Sequence, residues 1–269
     1  MKVISINNMK GGVGKTFIVF NLATYINFLQ KSKKNKKILV IDLDPQANTS
    51  ENFLDNEQLN YTEDLNISML FEEDIDIPRW KSLIMPTKFE NIDIVPSLLT
   101  LAKVENSSIN IMDRTSRLKY FIDEYGKNYD YIIIDNPPST NIFTANALKV
   151  AEYIFIPLLP DRLSLVGLDL MFENILIAQK FNKNLKVGGL ILNMLDRRYK
   201  THSIILNVLE RKFSNYIINP PLGKKADFQT ALDMKEPLFK VASTSSKAHI
   251  QMAELMKNII KIVNQEGGV

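Results

Sequence analysis

Residues 2–16 read KVISINNMKGGVGKT. The β-branched run Lys2–Asn7 predicts a buried strand, and it breaks into the turn Met9-Lys10-Gly11-Gly12-Val13-Gly14-Lys15-Thr16. Val19, Leu22, Ala23 and Ile26 then recur at helical spacing and predict a helix over Thr16–Gln30. Strand, glycine turn and helix in that order are the opening unit of a parallel α/β fold.

The rest of the chain repeats this alternation. Strands are predicted at Lys37–Asp42, Ile92–Val95, Tyr129–Asp135, Ile154–Pro157, Val187–Asn193 and Tyr216–Ile218. Helices are predicted over Arg114–Tyr125, stopped by Gly126, and over Ser164–Phe181, Ser203–Phe213 and Ser246–Val263. The polar run SKKNKK at 32–37 reads as a turn, and residues 52–112 resist a clear reading. Near-continuous apolar strands separated by helices predict a doubly wound, mostly parallel sheet flanked by helices on both faces. No repeat or long linker divides the chain, so residues 1–269 are expected to form one domain. Ligands in such folds bind at the carboxyl ends of the strands.

At the first strand's end, glycines let the backbone wrap an anion with its N–H groups, and the helix N-terminus adds a positive dipole end. Gly11, Gly12, Val13 and Gly14 are the candidate cradle, Lys15 is placed for β- and γ-phosphates, and Thr16 offers a hydroxyl to Mg²⁺. The strand Tyr129–Ile134 delivers Asp135 beside that loop, where a carboxylate orders Mg²⁺. Asp42 and Asp44, two residues apart, point the same way if their strand continues.

KGGVGKT with Lys10 ahead of the glycines, IDLDPQAN at 41–48 and IIIDNPPS at 132–139 together resemble the ParA/MinD superfamily of P-loop ATPases with a deviant Walker A motif. The resemblance runs from residue 2 to about 260. It implies ATP and Mg²⁺ as ligands and an ATP-sandwich homodimer in which Lys10 reaches the partner's nucleotide. It further implies that Asp44 handles the attacking water, that Asp42 supports the Mg²⁺ shell and that Asn193 contacts adenine. The family usually has a second hydroxyl residue for the α-phosphate where this chain has Phe17, so nucleotide affinity is expected to be altered. The loop Asn136–Ser139, stiffened by Pro137-Pro138, is a candidate switch.

Composition narrows the choice of branch. The chain has no Cys, which excludes disulfides, cysteine nucleophiles and cysteine-ligated clusters, and its two His leave little material for a His-based metal site. The last tyrosine is Tyr216, against a tyrosine-rich tail of the tyrosine-kinase branch. Leu255, Met256, Ile259, Ile260 and Val263 make an apolar stripe, but only Lys257 and Lys261 accompany it, so a helix docked on the sheet fits better than a membrane-targeting tail. No run approaches the ~18 apolar residues of a membrane span, and no signal peptide is evident, so a cytoplasmic, nucleoid-associated protein is expected.

Net charge is +3, yet residues 195–261 carry 12 Lys and Arg against 6 Asp and Glu. That excess points to a polyanion. Arg197, Arg198, Lys200, Arg211, Lys212, Lys224, Lys225 and Lys247 are the candidate DNA contacts. The DPQ segment favours the ParA branch, which implies non-specific double-stranded DNA and a ParB-type centromere-binding protein as partners. The chain opens directly on its first strand, so no N-terminal helix-turn-helix domain is expected. The main alternative is a MinD-like positioning ATPase acting on membrane or protein cargo; a third is a nucleotide-gated module with degraded catalysis.

Overall fold

The structure, a computed structural model, describes residues 1–29, 36–72, 77–105 and 114–265. Gln30, most of the 32–37 turn, parts of the 52–112 stretch and the end of the QEGGV tail lie outside the described residues.

Seven strands form one sheet: β1 Lys2–Ile6, β2 Ile38–Asp42, β3 Met85–Pro86, β4 Ile92–Val95, β5 Tyr131–Asp135, β6 Tyr153–Leu158 and β7 Lys186–Leu192. Their spatial order is β3-β4-β2-β5-β1-β6-β7, and every pair is parallel except β3 with β4. The chain winds from β1 outward through β2 to β4, then returns to fill β5 and runs the other way through β6 and β7. The central strands are buried on both faces, as the apolar runs predict.

The longer helices divide between the faces. On one side lie α1 Lys15–Leu29, α2 Asn48–Phe53, the short α3 Asn56–Tyr61 and, later in the chain, α10 Ala226–Asp233, α11 Leu238–Val241 and α12 Lys247–Asn264. The other side carries α6 Arg117–Tyr125, α7 Ile142–Val150, α8 Arg162–Ala178 and α9 Lys200–Phe213. Short pieces α4 Ile77–Trp80 and α5 Leu101–Glu105 seat Trp80 and Leu101 in that second layer. Helix α1 is apolar around most of its circumference because it is enclosed between the sheet and α11 and α12.

Two expectations need amending. The strand expected at Tyr216–Ile218 is a single bridge, Ile217 to Leu190, followed by isolated bonds from Leu222 N–H to the Leu192 carbonyl and a bridge from Gly223 to Leu195. Pro220 and Pro221 lack N–H groups, so the ladder cannot continue through them. Helices α7 and α10 and the two-residue β3 were not anticipated.

The terminal stripe is core. Met252, Leu255, Met256, Ile259 and Val263 are all fully buried against α1 and the sheet, and Asn264 accepts a 3.0 Å hydrogen bond from the Tyr131 hydroxyl. Among the described residues no helix is long and apolar enough to cross a membrane. Leu255→Ala is therefore expected to cost ~2–5 kcal/mol in urea unfolding. A cost near zero would mean the stripe is not packed as described.

Candidate functional site

The site assembles where β1, β5 and β2 end side by side. Ile6 pairs with Asp135, and Asp135 with Asp42, so the phosphate loop and two carboxylates leave the sheet at one level. Gly12 and Gly14 adopt φ of +70° and +95°, which L side chains rarely tolerate. A Cβ on Gly14 would also fall 2.4 Å from Asn193 Nδ2.

That proximity identifies what Asn193 does. Its Nδ2 donates to the Val13 carbonyl at 2.9 Å and its Oδ1 accepts from Met194 N–H at 2.9 Å. Asn193 lines the cavity, and with both ends of its amide engaged by backbone it braces the loop. Asn8 does the same from the other side, donating to the Pro157 carbonyl and accepting from Lys10 N–H. Lys15 is buried, with Nζ donating to the carbonyls of Asn8 and Lys10 at 3.2 and 3.4 Å. Burial lowers its pKa, opposed by the charges of Asp135 and Asp44.

Asp135 Oδ2 accepts from two hydroxyls, Thr16 at 2.7 Å and Thr49 at 2.6 Å. Its Oδ1 is buried and has no donor. A buried carboxylate oxygen in need of a partner, beside a threonine hydroxyl, suits a hard divalent cation that takes its remaining ligands from water and phosphate. No cluster of three His, Cys, Asp or Glu exists among the described residues, which fits that sparse mode of binding. Asp42 is held by its own loop. Its Oδ1 accepts from Asp44 N–H, and its Oδ2 accepts from the N–H and hydroxyl of Ser50. With both oxygens occupied, Asp42 anchors the loop that carries Asp44.

Strand β2 ends at Asp42, so Asp44 sits in that loop, half-buried on the cavity wall, its Oδ1 accepting from Gln46 N–H. Burial raises the Asp44 pKa against the opposing pull of that N–H and of Lys15. Burial likewise raises Asp42, helped by the charge of Asp135, and raises Asp135 to about 6 despite the two threonine hydroxyls.

Of these groups Lys15, Thr16, Asp44 and Asn193 line one cavity of about 650 Å³, within the range of small-molecule sites, and Asp135 lies behind Thr16. One wall is the phosphate loop from Gly11 to Phe17, and the facing rim carries Lys224, Lys225 and Phe228. Phe17 does not project into solvent: it is buried, with its ring edge-on to Phe228 at 5.7 Å. Lys10 ion-pairs with Asp161, whose other oxygen caps α8 by accepting from Ser164 N–H at 2.8 Å. Burial pushes Asp161 up, but the Lys10 and Ser164 hydrogen bonds outweigh it and leave the group below its ordinary pKa.

The basic residues do not form one patch. Arg197, Arg198 and Lys200 follow β7 at the strand ends, and Lys224 and Lys225 lie on the cavity rim. Helix α12 finishes near the start of β5, so Lys247 at its beginning also lies toward the cavity end of the sheet. Arg211 and Lys212 occupy the last turn of α9, ~17 Å along the helix from Lys200. Arg198 is exposed but forks onto Asp196. Thr49, Ser50, Asn8 and Asp161 were not singled out from sequence, although Thr49 and Ser50 directly follow the IDLDPQAN string.

Residues 1–187 match a family described as an AAA domain. The chain is similar to the sporulation initiation inhibitor protein Soj of Bacillus subtilis, 34% identical over 73% of this chain and 74% of that one. It is also 34% identical to an uncharacterised protein of Methanocaldococcus jannaschii over 98% of this chain and all of the other. Among solved structures it resembles a plasmid partition protein of Borrelia burgdorferi bound to AMPPNP, with a TM-score of 0.76, 26% identity and 97% of each chain covered.

The raised pKa of Asp135 has a measurable consequence. Between its ordinary value and about 6, the folded protein holds a proton that the unfolded chain has lost, so stability is full at acid pH and falls as pH climbs through about 6. Asp135→Asn removes that penalty. It should stabilise the nucleotide-free protein by roughly 1–3 kcal/mol at pH 8, with the gain shrinking as the pH is lowered below about 6, in urea unfolding at each pH. An equal gain at pH 8 and pH 5 would contradict the assignment.

Proposed function

This chain belongs to the ParA/Soj family of P-loop partition ATPases, and from that premise we propose that it hydrolyses ATP to control a DNA-bound dimer in plasmid or chromosome segregation. The observation that carries the reading is that Lys15, Thr16 and Asp44 line one cavity whose rim bears Lys224 and Lys225, with Asp135 directly behind Thr16 and accepting from its hydroxyl.

ATP fits the cavity with its phosphates in the turn from Gly11 to Thr16. The N–H groups of that turn, the start of α1 and the Lys15 ammonium compensate its charge. Thr16 and Asp135 would hold Mg²⁺, which supplies charge neutralisation at the β- and γ-phosphate oxygens. Asp44 orients the attacking water and takes up its proton as the water oxygen bonds to the γ-phosphorus. The bond to the β,γ-bridging oxygen breaks, leaving ADP and phosphate. Phe17 has no hydroxyl for the α-phosphate, so that contact falls to its backbone N–H.

Lys10 is the group for the second subunit's nucleotide. Its pairing with Asp161 in the single chain is a contact it must exchange when the dimer closes. The ATP dimer would present the basic residues at the strand ends, from Arg197, Arg198, Lys200, Lys224, Lys225 and Lys247, to DNA phosphates without reading sequence. A ParB-type partner that stimulates hydrolysis would end that state. The chain acts as one domain in this reading, and it belongs on the nucleoid.

The decisive experiment is binding to random-sequence duplex DNA without nucleotide, with ADP and with ATP–Mg²⁺. Binding should require ATP–Mg²⁺ and weaken about 100-fold between ~50 and ~200 mM salt if four phosphates are contacted. Lys15→Ala should abolish it. Absence of DNA binding in every nucleotide state, with ATP-dependent binding to anionic liposomes, would overturn the DNA reading in favour of a positioning ATPase.

Asp161→Asn keeps an oxygen for the α8 cap but removes the charge that holds Lys10. It should shift ATP-dependent dimerisation to a lower protein concentration, up to about 5-fold for each of the two partly exposed ion pairs exchanged per dimer and so up to about 30-fold in all, in sedimentation velocity. A shift to higher concentration would mean that Asp161 acts within the dimer instead.

A further inference from the structure

Position 17 separates this chain from the usual pattern of its family, and the structure gives the substituted ring a partner. Phe17 stands in the first turn of α1, where the backbone N–H groups face the phosphate turn. Its ring meets Phe228 of α10 edge-on at 5.7 Å, and both residues border the cavity. A second tie lies one turn further along. Asn21 Nδ2 donates to the Phe17 carbonyl at 2.9 Å, while its Oδ1 accepts from Leu238 N–H at the start of α11 at 2.9 Å. The segment that begins with Lys224 and Lys225 and continues through α10 and α11 is thus seated on α1 through two adjacent residues of one helix face.

Lys225 is the residue at which α10 begins, and no side chain caps that helix start. Its side chain folds over Gly223, beside the cavity. The chain before α10 is tied to β7 through Leu222 and Gly223, and the aromatic pair ties the helix itself to the first turn of α1.

We propose that Phe17 and Phe228 are positioning residues that couple occupancy of the nucleotide cavity to the placement of α10 and the Lys224–Lys225 rim. The inference rests on the reading of the cavity as a nucleotide site. A triphosphate that binds the turn fixes the first turn of α1 and with it the Phe17 ring. The ring's edge contact then fixes Phe228, and the two lysines ahead of α10 take one position. A threonine or serine at position 17 spends its side chain on the phosphate and cannot reach α10 in this way. The aromatic exchanges a direct phosphate contact for a mechanical link to a basic rim.

The test is amide hydrogen exchange over residues 223–233 in the full chain, without nucleotide and at saturating AMPPNP–Mg²⁺, after fluorescence titration with an N-methylanthraniloyl ATP analogue has established saturation for each protein. In the wild type, nucleotide should slow exchange in this segment about 3- to 10-fold, the scale of an edge-to-face aromatic contact. Phe228→Leu keeps apolar volume without the ring, and should bring that ratio below about 2 at saturation. Phe228→Tyr should restore it. A purely structural role would speed exchange in Phe228→Leu with and without nucleotide by the same factor, leaving the ratio unchanged, and that result overturns the proposal. A wild type that binds nucleotide with no change over 223–233 overturns it too, while leaving the nucleotide site standing. A wild type that binds no nucleotide overturns both.

Discussion

Two hydroxyls converge on one oxygen of Asp135, and the rest of the site is arranged around that charge. A fully buried carboxylate costs too much to leave unpartnered, so the threonines that begin α1 and α2 are drawn onto the end of β5. The phosphate turn and the loop after β2 are thereby fixed to the same atom. The compensation is partial by design: one oxygen keeps no protein donor. An enzyme that uses a divalent cation needs an acid that remains short of partners until the cation arrives. Asp42, its neighbour in register, is the contrasting case. Ser50 and the Asp44 backbone satisfy both of its oxygens, and the result is an anchor.

The walls of the cavity follow the same logic of neighbours in place of ligands. Asn8 and Asn193 clamp the phosphate turn from two sides, each spending its amide on backbone. Gly14 has no side chain partly because Asn193 occupies the space. Preorganisation of this kind lets the backbone N–H groups meet an anion without first rearranging. The opposite rim is seated on α1 through a pair of aromatic rings and one asparagine, and on β7 through the main chain at Leu222 and Gly223.

Much of this was legible in the chain itself because its signals are local. The strand ends that deliver Asp42 and Asp135, the glycine turn and Thr16 stand in continuous runs whose geometry is set within a few residues. Asn193 was placed at the cavity correctly, but its task depends on which carbonyl its amide reaches across 180 residues of sequence. Asn8 and Asp161 are small polar residues in loops and Thr49 stands in the first turn of a short helix, and only tertiary packing gives them work. Closeness in sequence does not give spacing on the surface. Arg211 and Lys212 are near Lys200 in sequence, yet a helix of fourteen residues carries them to its far end. The expected strand at 216–218 had the right apolar content and lacked the donors beyond it.

Both rims of the sheet end in imino acids. The outer strand on one side is two residues long and closes with Pro86, while the chain beside β7 passes through Pro220 and Pro221 between its few bonds. An open strand edge is a template for another chain's backbone, and each proline withholds the N–H that such a template needs. Self-association by sheet extension is thus discouraged at both margins. Any contact between copies is thereby left to side chains, whose pairing a change of ligand or charge can undo, and not to a continuous backbone ladder.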